Sequence, residues 1–315
     1  MLVTNFLGGL NLFLKRKIHV NLNKIKVVDV LIPTRGENES YLSNAIYPFR
    51  FNIFVKSIVI IVDSKDESVS ENIKRNFGNV KKLQVYKSPG SGISRTLNFG
   101  VTKCNAKLIA RQDDDDISSS LRIYLQLFAL LITRSDLVFT NLKKIDTKGN
   151  RLSKLEYRRP MGRVYPIGIF LGCIVSHATV LGKRDIFYNN KFTHDILAED
   201  YDLWMRIIDK VKFINLDFKL YKFRIHDRQI TNTNSTIDQH VHLYDCWVDL
   251  GTRIGIDQKI LKKDIFLIPY TDLNNPITEN SNEFKLFKSE CAIIIEQLPK
   301  KVGNYYKTLF QELYL

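Results

Sequence analysis

Three features of the sequence predict an α/β fold built on a mostly parallel sheet flanked by helices. Short apolar runs alternate with stretches of helical periodicity over residues 27 to 140, the order that buries a parallel sheet between layers of helices. Polar residues recur where those runs stop, at Thr34-Arg35, Asp63 and Asp113 to Asp116. Ligands of such sheets bind outside the carboxyl ends of the strands. The last of these stops is four consecutive aspartates, followed by Ser118-Ser119-Ser120 and a helical apolar pattern.

The elements follow in order. Residues 1 to 26 form an extension in which Leu2, Phe6, Leu7, Leu10, Leu12, Phe13 and Leu14 precede Lys15-Arg16-Lys17. A secretory signal has its charges first, so this stretch reads as an amphipathic helix for a membrane surface or for the protein's own body. Val27 to Ile32 is a buried strand ending in the loop Pro33 to Asn38, and Ser40 to Ala45 opens a helix. Ser57 to Val62 is a second strand, Ser68 to Phe77 a helix and Leu83 to Tyr86 a third strand. Ser88 to Gly92 is a turn by composition, Ile93 to Cys104 a helix, and Leu108 to Ala110 the central strand. The three serines are placed to cap the next helix, whose apolar positions are Leu121, Tyr124, Leu125, Phe128, Leu131 and Ile132.

Further on, Leu137 to Thr140 is a strand and Thr147 to Asn150 a hairpin turn. Arg158 to Pro166 is a basic irregular connection, and Ile174 to Val180 a strand broken by polar residues. Leu203, Trp204, Ile207 and Ile208 have helical spacing, which puts Glu199 and Asp200 at a helix start. Phe218 to Ile225 is the last strand. Residues 236 to 315 are mainly helical, with a break near Asn274-Asn275-Pro276. Three regions result: 1–26, 27–235 and 236–315.

Lys and Arg outnumber Asp and Glu by 47 to 33, a balance that favours anionic partners. The four cysteines have no metal-ligand spacing, which fits reduced thiols in the cytoplasm. Four adjacent carboxylates repel one another, and a hard divalent cation such as Mg²⁺ or Mn²⁺ would relieve them while keeping room for substrate phosphates. A solvated acidic turn before a helix is the alternative, and that stretch alone leaves both open.

Seven stretches in order resemble the inverting glycosyltransferases of GT-A family 2, which build bacterial capsule, O-antigen and similar glycans. They are Ile32-Pro33-Thr34-Arg35, Val62-Asp63-Ser64, Gly92 to Gly100, Ile109 to Ser118, Ser176-His177-Ala178-Thr179, Glu199 to Trp204, and Tyr221 to His226. The resemblance spans roughly residues 27 to 230 and implies a GT-A fold with a C-terminal helical extension. It implies a nucleotide-sugar donor, UDP-linked, and a glycan or lipid-linked acceptor. By residue, it puts Thr34, Arg35, Asp63 and Asn98 at the nucleotide sugar, and Arg224 and His226 in a loop that closes on the diphosphate. Asp113 and Asp115 are the ends of an Asp-x-Asp motif holding ribose and Mn²⁺ or Mg²⁺, and Asp116 follows them. Asp200 is the general base, with Glu199 and His177 toward the acceptor. Leu97, Ala178 and Ser64 stand where many relatives have Arg, Pro and Asp.

Two other readings compete. A nucleotidyltransferase would carry a Gly-rich basic first loop, whereas Pro33 to Glu37 is acidic and poor in Gly. A basic nucleic-acid binder would show a zinc pattern or an aromatic-basic motif, and the sequence has neither. The basic surface, the apolar-then-basic extension and a lipid-linked acceptor together lead us to expect a peripheral protein on the inner face of the cytoplasmic membrane.

Overall fold

The structure, a computed structural model, describes residues 26–152, 161–172, 174–196, 198–226, 237–267 and 282–314. The N-terminal extension up to residue 25, the basic connection up to Pro160 and the break at residues 274–276 lie outside them.

The chain begins as the sequence predicts. Strand β1 (Val28–Thr34) leads through a loop to α1 (Glu39–Ile46), capped by the Asn38 side chain, which accepts from Tyr41 N. Next come β2 (Val55–Val62), α2 (Glu67–Asn76), β3 (Leu83–Lys87), α3 (Ile93–Lys103) and β4 (Leu108–Arg111). These four strands pair in parallel in the order β3-β2-β1-β4. Side chains alternate along them as a period of two demands. Val30, Ile32, Ile58 and Ile60 face one core, with Leu42 and Ile46 of α1 and Ile73 of α2. Leu31, Val59 and Ile61 face the other, with Leu97 and Val101 of α3. At Gly100 a Cβ would lie 2.4 Å from Leu31, so only glycine lets α3 come this close to the sheet.

Past β4 the sheet becomes mixed. β5 (Ile117–Ser118), α4 (Arg122–Thr133), β6 (Leu137–Ile145), β7 (Gly162–Arg163) and α5 (Pro166–Leu171) precede β8 (Leu181–Lys183). Then follow α6 (Arg184–Asn189), α7 (Glu199–Ile207) and β9 (Phe213–Arg224). β8 is antiparallel to both β4 and β6, β6 runs parallel to β9, and β5 and β7 pair antiparallel with β9. The hairpin turn forms as predicted: Gly149 has φ +90°, and Asp146 N donates to Asn150 O at 2.8 Å.

Four expectations are corrected. Residues 174–180 are not a strand but an irregular segment with a 3₁₀ turn at His177–Thr179, and the strand is the short β8 after it. Here the Thr179 hydroxyl donates to Ser176 O at 2.9 Å, a local bond that competes with a ladder. The serines do not cap α4 at Ser118, which lies in β5. The helix starts at Arg122, and its cap residue Leu121 has no side-chain bond to give. The apolar pattern of α4 is also turned around: Arg122, Ile123, Gln126, Leu127 and Ala129 are buried, while Leu121, Phe128, Leu131 and Ile132 are exposed. β9 itself starts earlier than predicted, its ladder to β6 interrupted by a register shift around Asn141.

Among the described residues after β9 the helices are α8 (Ile237–Arg253), α9 (Lys263–Leu267), α10 (Asn282–Glu296) and α11 (Lys300–Tyr314). Trp247 of α8 stacks on Phe170 of α5 at 4.7 Å, and its Nε1 donates to Phe170 O. Tyr306 of α11 lies against Gly168, where a Cβ would meet it at 2.6 Å. Cys104, Cys246 and Cys291 form no disulfide. Among the described residues no helix is long and apolar enough to cross a membrane.

Candidate active site

The carboxyl ends of β1, β2 and β4 bring Thr34, Asp63 and the acidic loop together. Asp63 N donates to Thr34 O at 2.8 Å, and the Asp63 carboxylate accepts from the backbone N of Gly92 at 2.9 Å. Gly92, at φ +100°, immediately precedes α3, so Asp63 ties the end of β2 to a helix N-terminus, where a negative charge is favoured. The Thr34 hydroxyl donates to the Asp114 carboxylate and accepts from Gly36 N at 2.9 Å. Arg35, next in the loop, is exposed.

The four aspartates have four different surroundings. Asp113 accepts from Arg111 at 2.6 Å, and its backbone N donates to the Tyr221 hydroxyl at 3.1 Å. Asp114 turns to Thr34, and burial pushes its carboxyl up to about 6, helped by the charges of Asp115 and Asp113. Asp115 meets His226, Nε2 to Oδ2 at 2.8 Å. Burial and the Asp113 charge raise its carboxyl, while His226 opposes the shift. Asp116 points inward and accepts from Arg224 N at 2.6 Å. It is fully buried, and burial with two neighbouring carboxylates lifts it well above the usual range.

A neutral clasp holds this loop from inside. The Gln112 amide donates to Asp113 O at 2.9 Å and to Asp116 O at 3.1 Å. Its carbonyl accepts from Ser118 at 2.6 Å and from Arg122 at 3.2 Å. The Arg122 guanidinium is fully buried and also donates to Ser118 Oγ, Ala178 O and Arg111 O. This is why Ser118 is unavailable as a cap. Burial without a directly bonded carboxylate brings its pKa down to about 10.

The second half of the site comes from the start of α7. Burial, then the Asp200 charge, pushes Glu199 up to about 8. Asp200 is pushed up to about 6, chiefly by burial and also by Asp113, with Arg111 and backbone bonds opposing. Arg111 and Asp113 therefore act on both carboxylates, and the two halves form one electrostatic unit. Both carboxyls are thus raised, Glu199 further than Asp200. His177 Nδ1 stands 3.8 Å from Glu199 Oε1, buried between Phe192 and Trp204 and held neutral by burial. Its side chain is as buried as that of Glu199. Trp204 is wholly core.

Two residues expected at the nucleotide sugar are engaged by the protein itself. Asn98 clasps Phe192, its amide donating to Phe192 O at 2.8 Å and its carbonyl accepting Phe192 N at 2.9 Å. Arg224 is buried, donating to Asp115 O at 2.8 Å and to Asp146 O and Thr147 O across the hairpin turn, with its guanidinium 4.2 Å above the Tyr41 ring. It braces the acidic loop from behind, where the expectation had it closing on a diphosphate. His226 is the member of that pair which reaches the carboxylates. Sequence reasoning missed Arg111, Gln112, Arg122 and Tyr221. The available signal was an Arg-Gln pair closing an apolar strand ahead of the acidic run.

Among the described residues no three His, Cys, Asp or Glu side chains form a metal cage by themselves. The oxygen donors of Asp115 and Asp113 fit a hard cation that takes the rest of its shell from substrate phosphates and water, and their crowding is what such a charge would relieve.

The profile of the family described as glycosyl transferase family 2 matches residues 29–191. The chain belongs to glycosyl transferase family 2. It is 28% identical over 196 residues to the O-antigen biosynthesis glycosyltransferase WbnJ of Escherichia coli, covering 60% of this chain and 73% of that protein. It is 25% identical over 301 residues to the uncharacterized glycosyltransferase RP339 of Rickettsia prowazekii, covering 91% of this chain and 90% of that one. Three other rickettsial glycosyltransferases are matched over only 26% to 28% of their length. Among solved structures, S. aureus TarS 1-349 in complex with UDP-GlcNAc superposes with a TM-score of 0.61 at 14% identity, covering 91% of this chain and 89% of that one. The GT-A fold and the glycosyltransferase activity of the family thus agree with the sheet and the site.

Proposed function

We propose that this glycosyltransferase moves a sugar from a UDP-linked donor to a glycan or lipid-linked acceptor, with inversion, in the synthesis of a bacterial surface polysaccharide. The observation that carries the reading is the electrostatic coupling of Asp200 to Asp113 through Arg111. It supports a reading in which Asp200 as base and Asp113 as cation ligand serve one site. Thr34, Arg35 and Asp63 line the strand ends where the nucleotide would lie. Asp115 and Asp113 would hold Mn²⁺ or Mg²⁺, which supplies Lewis-acid stabilisation of the departing diphosphate. Asp200 takes the proton of the acceptor hydroxyl as that oxygen attacks the anomeric carbon from the face opposite the leaving group. Glu199, protonated, hydrogen-bonds rather than repels. No covalent intermediate is required. The UDP-bound TarS structures and the O-antigen name of WbnJ support donor and product class.

The protein works on the inner face of the cytoplasmic membrane, held by its basic surface and apolar N-terminal extension, an attraction that salt should weaken. The test is calorimetric titration with UDP and Mn²⁺, alongside a screen of nucleotide sugars for donor hydrolysis. Asp115→Ala is expected to abolish Mn²⁺-dependent UDP binding while the fold stays intact, because it removes crowded charge. Unchanged affinity in that variant removes the metal assignment.

A further inference from the structure

Helix α4 buries Arg122 and Gln126 together with Ile123, Leu127 and Ala129, and still exposes a second apolar stripe. Leu131 is 73% exposed, Ile132 63% and Leu121 56%, with Phe128 beside them. Spacings of seven, ten and eleven residues from Leu121 put them on one flank. A second exposed apolar stretch adjoins that flank: Tyr47, Phe51 at 79% and Ile53. The two are joined by the edge contact of Phe54 with Tyr124 at 5.4 Å and by Phe49, which lies under the Arg122 guanidinium. Seven of the twelve large hydrophobic side chains exposed among the described residues fall in these two stretches. Scattered exposed apolar residues are ordinary, whereas a gathering of this kind marks an interaction surface.

Charge decides what the surface meets. Neither residues 47–56 nor residues 117–135 contain an Asp or Glu, while Arg50, Lys56 and Arg134 lie among them. Arg50 stretches over the rings of Tyr47 and Phe51, at 3.9 and 4.5 Å, which leaves a cation riding on exposed aromatics. A second copy of the chain would bring the same cations face to face. A bilayer of anionic lipid offers phosphates to the cations and acyl chains to the Leu, Ile and Phe side chains, the pattern of an interfacial helix. The chain enters the domain on this side too: Val27 N donates to Phe54 O at 3.0 Å, so the apolar-then-basic N-terminal residues connect beside the same surface. Leu121 follows directly on β5 and the acidic loop, which sets one end of the stripe at the rim of the active site.

We propose that the outer stripe of α4 and the Tyr47–Ile53 loop form the surface on which the protein docks to anionic membrane lipid, with the catalytic mouth beside the headgroups. The proposal rests on the membrane attachment inferred above and adds which face makes it. The experiment is co-sedimentation of the full chain with phosphatidylcholine vesicles, with and without phosphatidylglycerol. The doubly substituted Leu131→Glu, Ile132→Glu protein is compared with Ile293→Glu, a control at an exposed site on α10. Wild type and control are expected to sediment with the anionic vesicles only. The double variant should bind about tenfold or more weakly with unchanged thermal melting, since both side chains are already solvated. Equal binding by the double variant overturns this face and leaves membrane attachment standing. Absence of wild-type binding overturns both. A fall in mass by light scattering when the two glutamates are introduced, without vesicles, makes the face a self-association interface and overturns the proposal. So does protection of Leu131→Cys from a soluble maleimide without vesicles, which means the chain's own residues cover the stripe.

Discussion

Asp200 and Glu199 are neighbours on one helix, yet burial and the surrounding charges give them different work. Asp200 is raised to about 6 and Glu199 to about 8, an ordering that makes Asp200 the proposed base, as paired carboxylates divide roles through their surroundings. Asp200→Asn is expected to lower the transfer rate about 10²-fold or more with UDP and Mn²⁺ affinity little changed, and Glu199→Gln is expected to cost less. Transfer by the wild type should fall as the pH drops below about 6, and the Asn variant should lack that limb. The sign for stability is opposite. A carboxyl raised in the folded state loses stability as the pH rises above its ordinary 3.8, fully so above about 6, so Asp200→Asn should melt higher at pH 7.5, by about 2–4 °C per kcal/mol. Near-wild-type transfer by Asp200→Asn would show the base is elsewhere. The acidic loop and the Glu-Asp pair could be read in the sequence because like charges in a row are costly without a purpose. Tyr221 could not, since its partner Asp113 lies far along the chain, nor could Arg111, since a lone arginine beside an acidic run reads as solvated, and Asn98 and Arg224 looked like ligand contacts because a polar side chain does not announce whether a backbone carbonyl will claim it.

At the scale of elements, strands β1 to β4 and their helices were legible because each has one clear period. The stretch Ile174 to Val180 was not, because apolar content alone cannot separate a strand from a buried irregular segment. Helix α4 misled for a physical reason: its periodicity was real, but its buried face includes Arg122 and Gln126 beside Ile123, Leu127 and Ala129. Those two side chains satisfy Arg111 O, Ala178 O, Val138 O and Thr179 O, backbone acceptors that the mixed half of the sheet leaves over beneath the acidic loop. An apolar side chain there would strand them, at about 1–3 kcal/mol each. Arg122→Met is therefore expected to lower stability in urea by about 2–4 kcal/mol and to weaken UDP binding through the loosened loop. Arg122→Lys should recover part of the stability and less of the binding, because one ammonium cannot reach all the acceptors that the guanidinium fork serves. Equal UDP affinity in wild type and Arg122→Met, measured on folded protein, would reduce Arg122 to a packing role.

For the molecule as a whole, the C-terminal helices are not an appendage to the sheet. One core runs from Leu31 and Ile61 through Phe139, Trp204 and Phe213 to Trp247, Phe287 and Phe310, with Phe139 edge-on to Trp204 at 5.3 Å and Phe287 6.0 Å from Phe310. Trp247 is its hinge point: fully buried, stacked on Phe170, tilted against Phe266 and Phe287, and bonded to the Phe170 carbonyl. Trp247 and Tyr201 both donate to the Phe170 carbonyl, so α8 reaches α7, the helix that carries Asp200, through a single packed layer. Removing the indole leaves a large cavity and takes one of two donors from the Phe170 carbonyl, a change expected to cost about 3–5 kcal/mol. If the core is continuous, Trp247→Ala should shift one cooperative urea transition, with far-ultraviolet circular dichroism and UDP-dependent stabilisation moving together. If instead the C-terminal helices melt first while UDP binding persists, the sheet folds without them and the base on α7 does not depend on α8.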